Sequence, residues 1–324
     1  MADPAIQPAL PRVGLGGADL GNLHRPLPEA DARELLVAAW DGGVRHFDTA
    51  PHYGLGLSER RLGRFLAQHP RDGYVLSTKV GRLLRPTPER AGAADLAQGF
   101  AVPATHERVW DSSPAGVRRS LDESLERLGL DRVDIAYLHD PDESPVGTAA
   151  TLAEGLPALA ELRAAGVVGA VGVGSKSTSA LLAAARTGLA DLLMVAGRYT
   201  LLDRQAGAEL VAECRVRGIG IVAAGVFNSG LLATDEAVPD ARYEYAPAPA
   251  DVRARAERLR AVCARHGVAL PVAALQFPLR EPAVRAVVLG GRSAGQVRQN
   301  LTRLRTPVPD ALWAEVADRR EVRA

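Results

Sequence analysis

Lysine is nearly missing from this chain: of 39 basic residues only Lys79 and Lys176 are lysine, and the rest are arginine. An excess of one charge is missing too. The 39 Lys and Arg meet 38 Asp and Glu, for a formal net charge of +1, which leaves no chain-wide electrostatic case for binding nucleic acid or an anionic membrane surface. Cysteine is reduced to Cys214 and Cys263, in apparently helical segments and without CxxC spacing. Neither a disulfide framework nor a metal cluster is expected from them. No apolar run approaches the roughly 18 residues of a membrane span. The opening Met1-Ala2-Asp3-Pro4 has no basic n-region and no apolar h-region, so a soluble, cytoplasmic monomer or homodimer is expected.

What is present is a folded core. Hydrophobic residues make up 47% and charged residues 24% of 324 positions, which excludes disorder. Short β-branched or apolar runs at 13–17, 44–48, 74–79, 133–138, 168–174, 191–196, 219–224 and 284–290 read as strands. Between them apolar residues recur at helical spacing, as in Val117, Leu121, Leu125 and Leu128, or Val252, Ala256, Leu259 and Val262. Ser113-Pro114 opens one helix and Gly129 closes it, while Ala165-Gly166 and Arg217-Gly218 close two more. Strands alternating with helices imply parallel pairing, and eight repeats favour a (β/α)8 barrel, an α/β fold, over an open sheet. No composition shift marks a linker, so a single domain over 1–324 is expected. Two connections, Gly81 to Ser112 and Asn228 to Ala250, are longer than ordinary strand-to-helix loops and suggest a substrate lid on one rim.

In such a barrel the chemistry sits where strands end. The second strand ends in Asp48, with Tyr53 in the following turn. The third ends in Lys79, and the fourth in His139. A phenol is a poor proton carrier at neutral pH, and a cation beside it draws its pKa toward the working range. Lys79 is that cation, Asp48 the carboxylate that keeps it charged, and His139 the imidazole that orients a substrate oxygen. A surface charged almost wholly with arginine also singles out a retained lysine as a site needing a compact ammonium. Taken one at a time, Asp48, Tyr53 and His139 read more readily as loop cap, pocket wall and core histidine. At consecutive strand ends, the four together favour function. Lys176 stands equally well as a cofactor contact or a solvated helix start.

The stretch Gly43-Val44-Arg45-His46-Phe47-Asp48-Thr49-Ala50-Pro51-His52-Tyr53-Gly54 with Ser58-Glu59, joined by Ser77-Thr78-Lys79 and Leu138-His139, resembles the aldo-keto reductases over nearly the whole chain. Within that family, Leu20-Gly21-Asn22-Leu23, the run from Ala196 to Asp203 and the run from Gly225 to Leu232 are similar to the aldose 1-dehydrogenase branch. The resemblance implies hydride transfer with NADP or NAD, with Tyr53 as proton acid or base, Lys79 and Asp48 tuning it, His139 orienting the substrate and no metal. In the oxidising direction the anomeric hydroxyl of an aldose would become a lactone. The same residues in reverse would make a reductase of aldehydes or ketones. A cofactor-binding barrel without turnover and an aldolase forming a Schiff base on Lys79 are further alternatives.

Gly14-Leu15-Gly16-Gly17-Ala18-Asp19 is not a dinucleotide-fold fingerprint, because Asp19 stands where its third glycine belongs and no acidic residue ends a strand about 20 residues later, Trp40-Asp41-Gly42 reading as a helix end. Cofactor contacts are expected later: Ser175; the small-residue turn with Gly225, Phe227, Asn228, Ser229 and Leu231; and the segment with Gly290, Arg292, Gln296 and Asn300 at a helix N-terminus. The positions that carry a Lys and an Arg for the adenosine 2′-phosphate in many members hold Gly290 and Gln296 here, leaving Arg292 as the expected phosphate contact. Ala224, Ala196 and Gly174-Ser175 replace the family's usual nicotinamide contacts. His52, Trp110 and Tyr199 are the expected contacts of a small-molecule sugar or carbonyl substrate.

Overall fold

The computed structural model describes residues 10–237, 240–244 and 246–317. Eight parallel strands form a closed barrel: β1 (Val13–Gly16), β2 (His46–Asp48), β3 (Val75–Val80), β4 (Ile135–His139), β5 (Ala170–Ser175), β6 (Leu192–Ala196), β7 (Gly220–Ala224) and β8 (Val284–Leu289), with β1 and β8 pairing to complete the ring. All eight expected strands are there. The second starts two residues later than expected because the Val44 N–H closes onto Ala39 O at the end of the preceding helix. The fourth runs one residue further and carries His139 on the strand itself.

The α-helices among the described residues are α1 (Glu29–Asp41), α2 (Leu57–Leu66), α3 (Pro114–Leu128), α4 (Thr148–Ala164), α5 (Thr178–Arg186), α6 (Glu209–Arg217), α7 (Ala250–Arg265), α8 (Leu270–Gln276), α9 (Ala294–Arg305) and α10 (Asp310–Ala317). The Ser113 hydroxyl caps α3 by accepting from the Gly116 N–H, and Gly129 ends it at φ 64°. Gly166 and Gly218 take the same left-handed backbone after α4 and α6. Both cysteines lie on helices, Cys214 on α6 and Cys263 on α7.

Strand alternation divides the core in two. Outward residues such as Phe47, Leu76, Leu138, Val173, Leu193 and Ile221 pack under the helices. Inward Ile135, Tyr137, Ala170, Leu192, Met194, Val222 and Val288 fill the barrel. Each fully buried Leu- or Val-sized side chain contributes about 1.5–3 kcal/mol. The same alternation turns Asp48, Lys79 and His139 inward at the strand ends.

The connection from Gly81 to Ser112 is not a plain loop. Arg82–Pro86 pairs antiparallel with His106–Trp110 in a hairpin, which its Pro-, Gly- and Ala-rich tip concealed in the sequence. The second long connection contains a two-residue ribbon, Arg242–Tyr243 with Ala246–Pro247.

Candidate active site

Parallel register aligns the functional strand ends. Asp48 on β2 stands opposite Ser77 on β3, Lys79 opposite Tyr137 on β4, and His139 opposite Gly174 on β5. Lys79 Nζ donates to Asp48 Oδ2 at 2.6 Å and to Thr49 O at 3.0 Å. The other Asp48 oxygen accepts from Ser77 Oγ at 2.7 Å. Lys79 and Asp48 are each only 2% exposed. Burial opposes the ammonium, but Asp48 and Tyr53 beside it outweigh burial and hold the Lys79 pKa above its ordinary value.

Tyr53 reaches this pair from the β2–α2 loop, with Lys79 Nζ 4.7 Å from its ring centre. The loop is fixed by a close approach of two glycine backbones. A Cβ on Gly54 (φ 62°) would lie 2.2 Å from Gly21 O, and one on Gly21 would lie 2.6 Å from the Tyr53 carbonyl carbon, so neither position takes a side chain without displacing the tyrosine. The signature's Ser58 and Glu59 hold the same scaffold from behind. Ser58 Oγ shares a hydrogen bond with Thr49 Oγ1 at 2.8 Å, and buried Glu59 accepts from Thr78 Oγ1 and from Arg127.

One expectation is reversed. Burial pushes the Tyr53 phenol up, and the pull of Lys79 in the other direction does not overcome it. Tyr53 therefore holds its proton at neutral pH. His139 is neutral: burial and then the nearby Arg82 and Lys79 keep its pKa well below the usual histidine range. Its ring centre is 6.1 Å from that of Tyr53 and 5.7 Å from that of His52.

A cavity of about 940 Å³ opens over these groups. Asp48, Tyr53, Lys79, His139 and Asp140 line it, as do Ser175, Gly225, Phe227, Asn228 and Ser229, and further along Gly290, Arg292, Gln296 and Asn300. The structure thus brings together the expected catalytic residues and nearly all the expected cofactor residues. Leu231 does not line the cavity and is buried in a second apolar cluster. Within its turn the N–H groups of Asn228, Gly230, Leu231 and Leu232 close on carbonyls of the same turn.

Arg292 is committed elsewhere than expected. Its guanidinium donates to Asp19 Oδ1, Leu23 O, Arg25 O and Pro26 O at 2.8–3.1 Å. It straps the segment after β1 to the β8–α9 loop and has no spare donor pair for a phosphate. Asn228 is likewise a brace, accepting from Thr200 Oγ1 at 2.7 Å and donating to Gly197 O at 3.2 Å.

The expected substrate residues separate. His52 stands behind the cavity lining, its ring nitrogen accepting from Arg108 Nε at 2.6 Å. Trp110 sits on the hairpin under the Arg82 guanidinium, 4.3 Å from its ring centre. Tyr199 is remote: it packs 5.7 Å from Phe277 and lines a different cavity with Arg204 and Trp313. Asp140 and Arg82, which the sequence reading left unassigned, stand beside His139 instead. An acidic residue directly after a strand-end histidine was the signal.

The Aldo/keto reductase family pattern matches residues 12–320. A D-threo-aldose 1-dehydrogenase of Pseudomonas sp is 51% identical over 96% of this chain and 94% of its own length. A pyridoxal 4-dehydrogenase of Microbacterium luteolum is 40% identical over 93% of this chain and 91% of its own. The solved glycerol dehydrogenase of Gluconobacter oxydans shares the fold, with a TM-score of 0.76, 23% identity and coverage of 97% of this chain and 93% of its own. The chain belongs to the aldo/keto reductase family and is an NAD(P)-dependent oxidoreductase. The site accommodates such a dinucleotide: one cavity joins the proton-handling groups to the glycine-rich Gly290-Gly291 turn before α9.

Proposed function

We propose that this enzyme oxidises the anomeric hydroxyl of an aldose to a lactone, with Tyr53 as the proton carrier. The observation that carries the reading is the buried Asp48–Lys79 pair set against Tyr53, with neutral His139 in the same cavity. The similarity to an aldose 1-dehydrogenase over most of both chains supports the substrate class.

Bound in the cavity, the nicotinamide ring supplies the hydride acceptor. The chain's own task is the proton. Tyr53, once deprotonated, takes the hydroxyl hydrogen as the C1–H bond gives up its hydride, and the C–O bond becomes the lactone carbonyl. Lys79 stabilises the phenolate that must form first, and Asp48 keeps Lys79 charged and aimed. The neutral His139 imidazole orients the substrate oxygen. Ser175, Gly225, Phe227, Ser229, Gly290, Gln296 and Asn300 hold the dinucleotide, and Asn228 braces their wall from within. In the structure Ser175 Oγ donates to Asp142 at 2.5 Å and accepts from the Ser177 N–H, which fixes its hydroxyl at the cavity wall.

A second reading, reduction of an aldehyde or ketone, is favoured by the raised pKa of Tyr53, because a phenol that keeps its proton is a proton donor. A panel of aldoses with NAD+ and NADP+, scored for lactone, tests the first reading against it. Lactone from at least one aldose is expected. Turnover confined to carbonyl reduction would replace the first reading with the second.

A further inference from the structure

Asp140 is used by no step above, yet it is built into the wall of the catalytic cavity. It follows His139 directly and takes a left-handed backbone, φ 40°, unusual for a residue with a side chain. Its N–H donates to Gly174 O at 2.8 Å, so the sharp turn off β4 is fixed. Oδ2 accepts from Arg82 Nη2 at 2.5 Å and lies 3.3 Å from His139 Nε2. Arg82 cannot swing away: it is 4% exposed, stacks on Trp110 and also bonds Glu143 Oε2 at 3.0 Å. The other oxygen, Oδ1, accepts no hydrogen bond among the described residues.

The Asp140 side chain is 21% exposed, so water can donate to Oδ1 until a substrate fills the cavity. A substrate that expels that water leaves a carboxylate oxygen unpaired unless it brings a donor of its own. An ionised carboxylate only accepts hydrogen bonds, so the missing partner is a donor. A plain aliphatic carbonyl substrate has none to offer. A substrate with a hydroxyl next to its reacting carbon does, and Asp140 is one residue from the histidine that would orient the reacting oxygen.

We infer that Asp140 Oδ1 accepts a hydrogen bond from a substrate hydroxyl beside the reacting carbon, and that Asp140, held by Arg82, selects hydroxylated substrates over plain carbonyls. This rests on the oxidoreductase reading of the site and deepens it by naming the group that reads the substrate.

Reduction of glyceraldehyde and of propionaldehyde, a pair differing in hydroxyl groups alone, tests it. Asp140→Asn is suited to the backbone, since Asn tolerates the left-handed region. Arg82 will hold the amide oxygen, which turns the NH2 group into the cavity where Oδ1 stood. The wild type is expected to favour glyceraldehyde in kcat/KM by about 10- to 100-fold, the size of one charge-assisted hydrogen bond. Asp140→Asn should lose most of that preference through glyceraldehyde, with propionaldehyde changed less than about twofold. Asp140→Ser, too short to reach the substrate, should do the same. Cofactor binding, followed by quenching of protein fluorescence, should stay unchanged in both.

A parallel fall for the two aldehydes would overturn the inference, since Asp140 would then act through His139 or the fold. So would an unmoved ratio, or a wild type with no preference. Failure of the aldose reading is a separate result, no lactone from any aldose, and leaves the aldehyde ratio to be read.

Discussion

Lys79 and Asp48 sit on adjacent strands with Nζ and Oδ2 2.6 Å apart, both sealed from solvent. Such a pair is stable only as a pair, because removing one member strands the other charge in a desolvated site.

Asp48→Ala and Lys79→Met are therefore each expected to cost about 3–5 kcal/mol of stability as well as activity. The double variant should lose less than the sum of the two. Thermal and denaturant melts of the four proteins check this, and strict additivity would contradict it.

Below the Tyr53 pKa, each unit of pH multiplies the phenolate fraction by about ten. Burial raises that pKa, so kcat/KM for oxidation should climb through neutral into alkaline pH, with a slope near one on logarithmic axes. Reduction, which uses the protonated phenol, should be nearly flat over the same range. A plateau for oxidation from pH 7 upward would show that Lys79 outweighs burial after all.

His46 lies fully buried in the barrel below this site, its Nε2 3.4 Å from Ser77 Oγ. Burial pushes its pKa down to about 4. The unfolded chain takes up this proton near pH 6.5, so the stability linked to His46 is whole above that value and is lost as pH falls toward 4. The loss at pH 5 is roughly 2 kcal/mol. Asp140, its carboxyl pushed up to about 6, runs the opposite way over part of this range. The test is thus a comparison of His46→Gln with the parent, in which the Asp140 contribution cancels. The variant should show the shallower acid limb.

Arg292 spends its donors on Asp19 and three backbone carbonyls. Arg292→Ala should therefore lower the melting temperature while leaving the ratio of NADP+ to NAD+ affinity, measured by calorimetry, changed less than about threefold. Selective loss of NADP+ binding would return Arg292 to the phosphate.

Much of this was legible in the sequence. Apolar runs and glycine stops located every barrel strand, and strand ends carrying Asp48, Lys79 and His139 met at one rim because parallel closure leaves no other arrangement. The rest depends on what folding brings alongside. The hairpin around Arg82 was hidden by its loop-like tip. The direction of the Tyr53 shift depends on burial, which a list of neighbouring charges does not contain. The partners of Arg292 come from the segment after β1, at the far end of the chain. Tyr199 was placed by motif position alone, and its ring found Phe277 instead.

The central claim is that the Tyr53 hydroxyl carries the proton coupled to hydride transfer. Tyr53→Phe removes one oxygen and leaves the aromatic ring over Lys79 in place. The account predicts a fall in kcat of about 10²–10⁴-fold, the usual worth of a positioned general acid or base, with the dissociation constant of the reduced cofactor unchanged. A variant that keeps wild-type kcat within a few fold would contradict it.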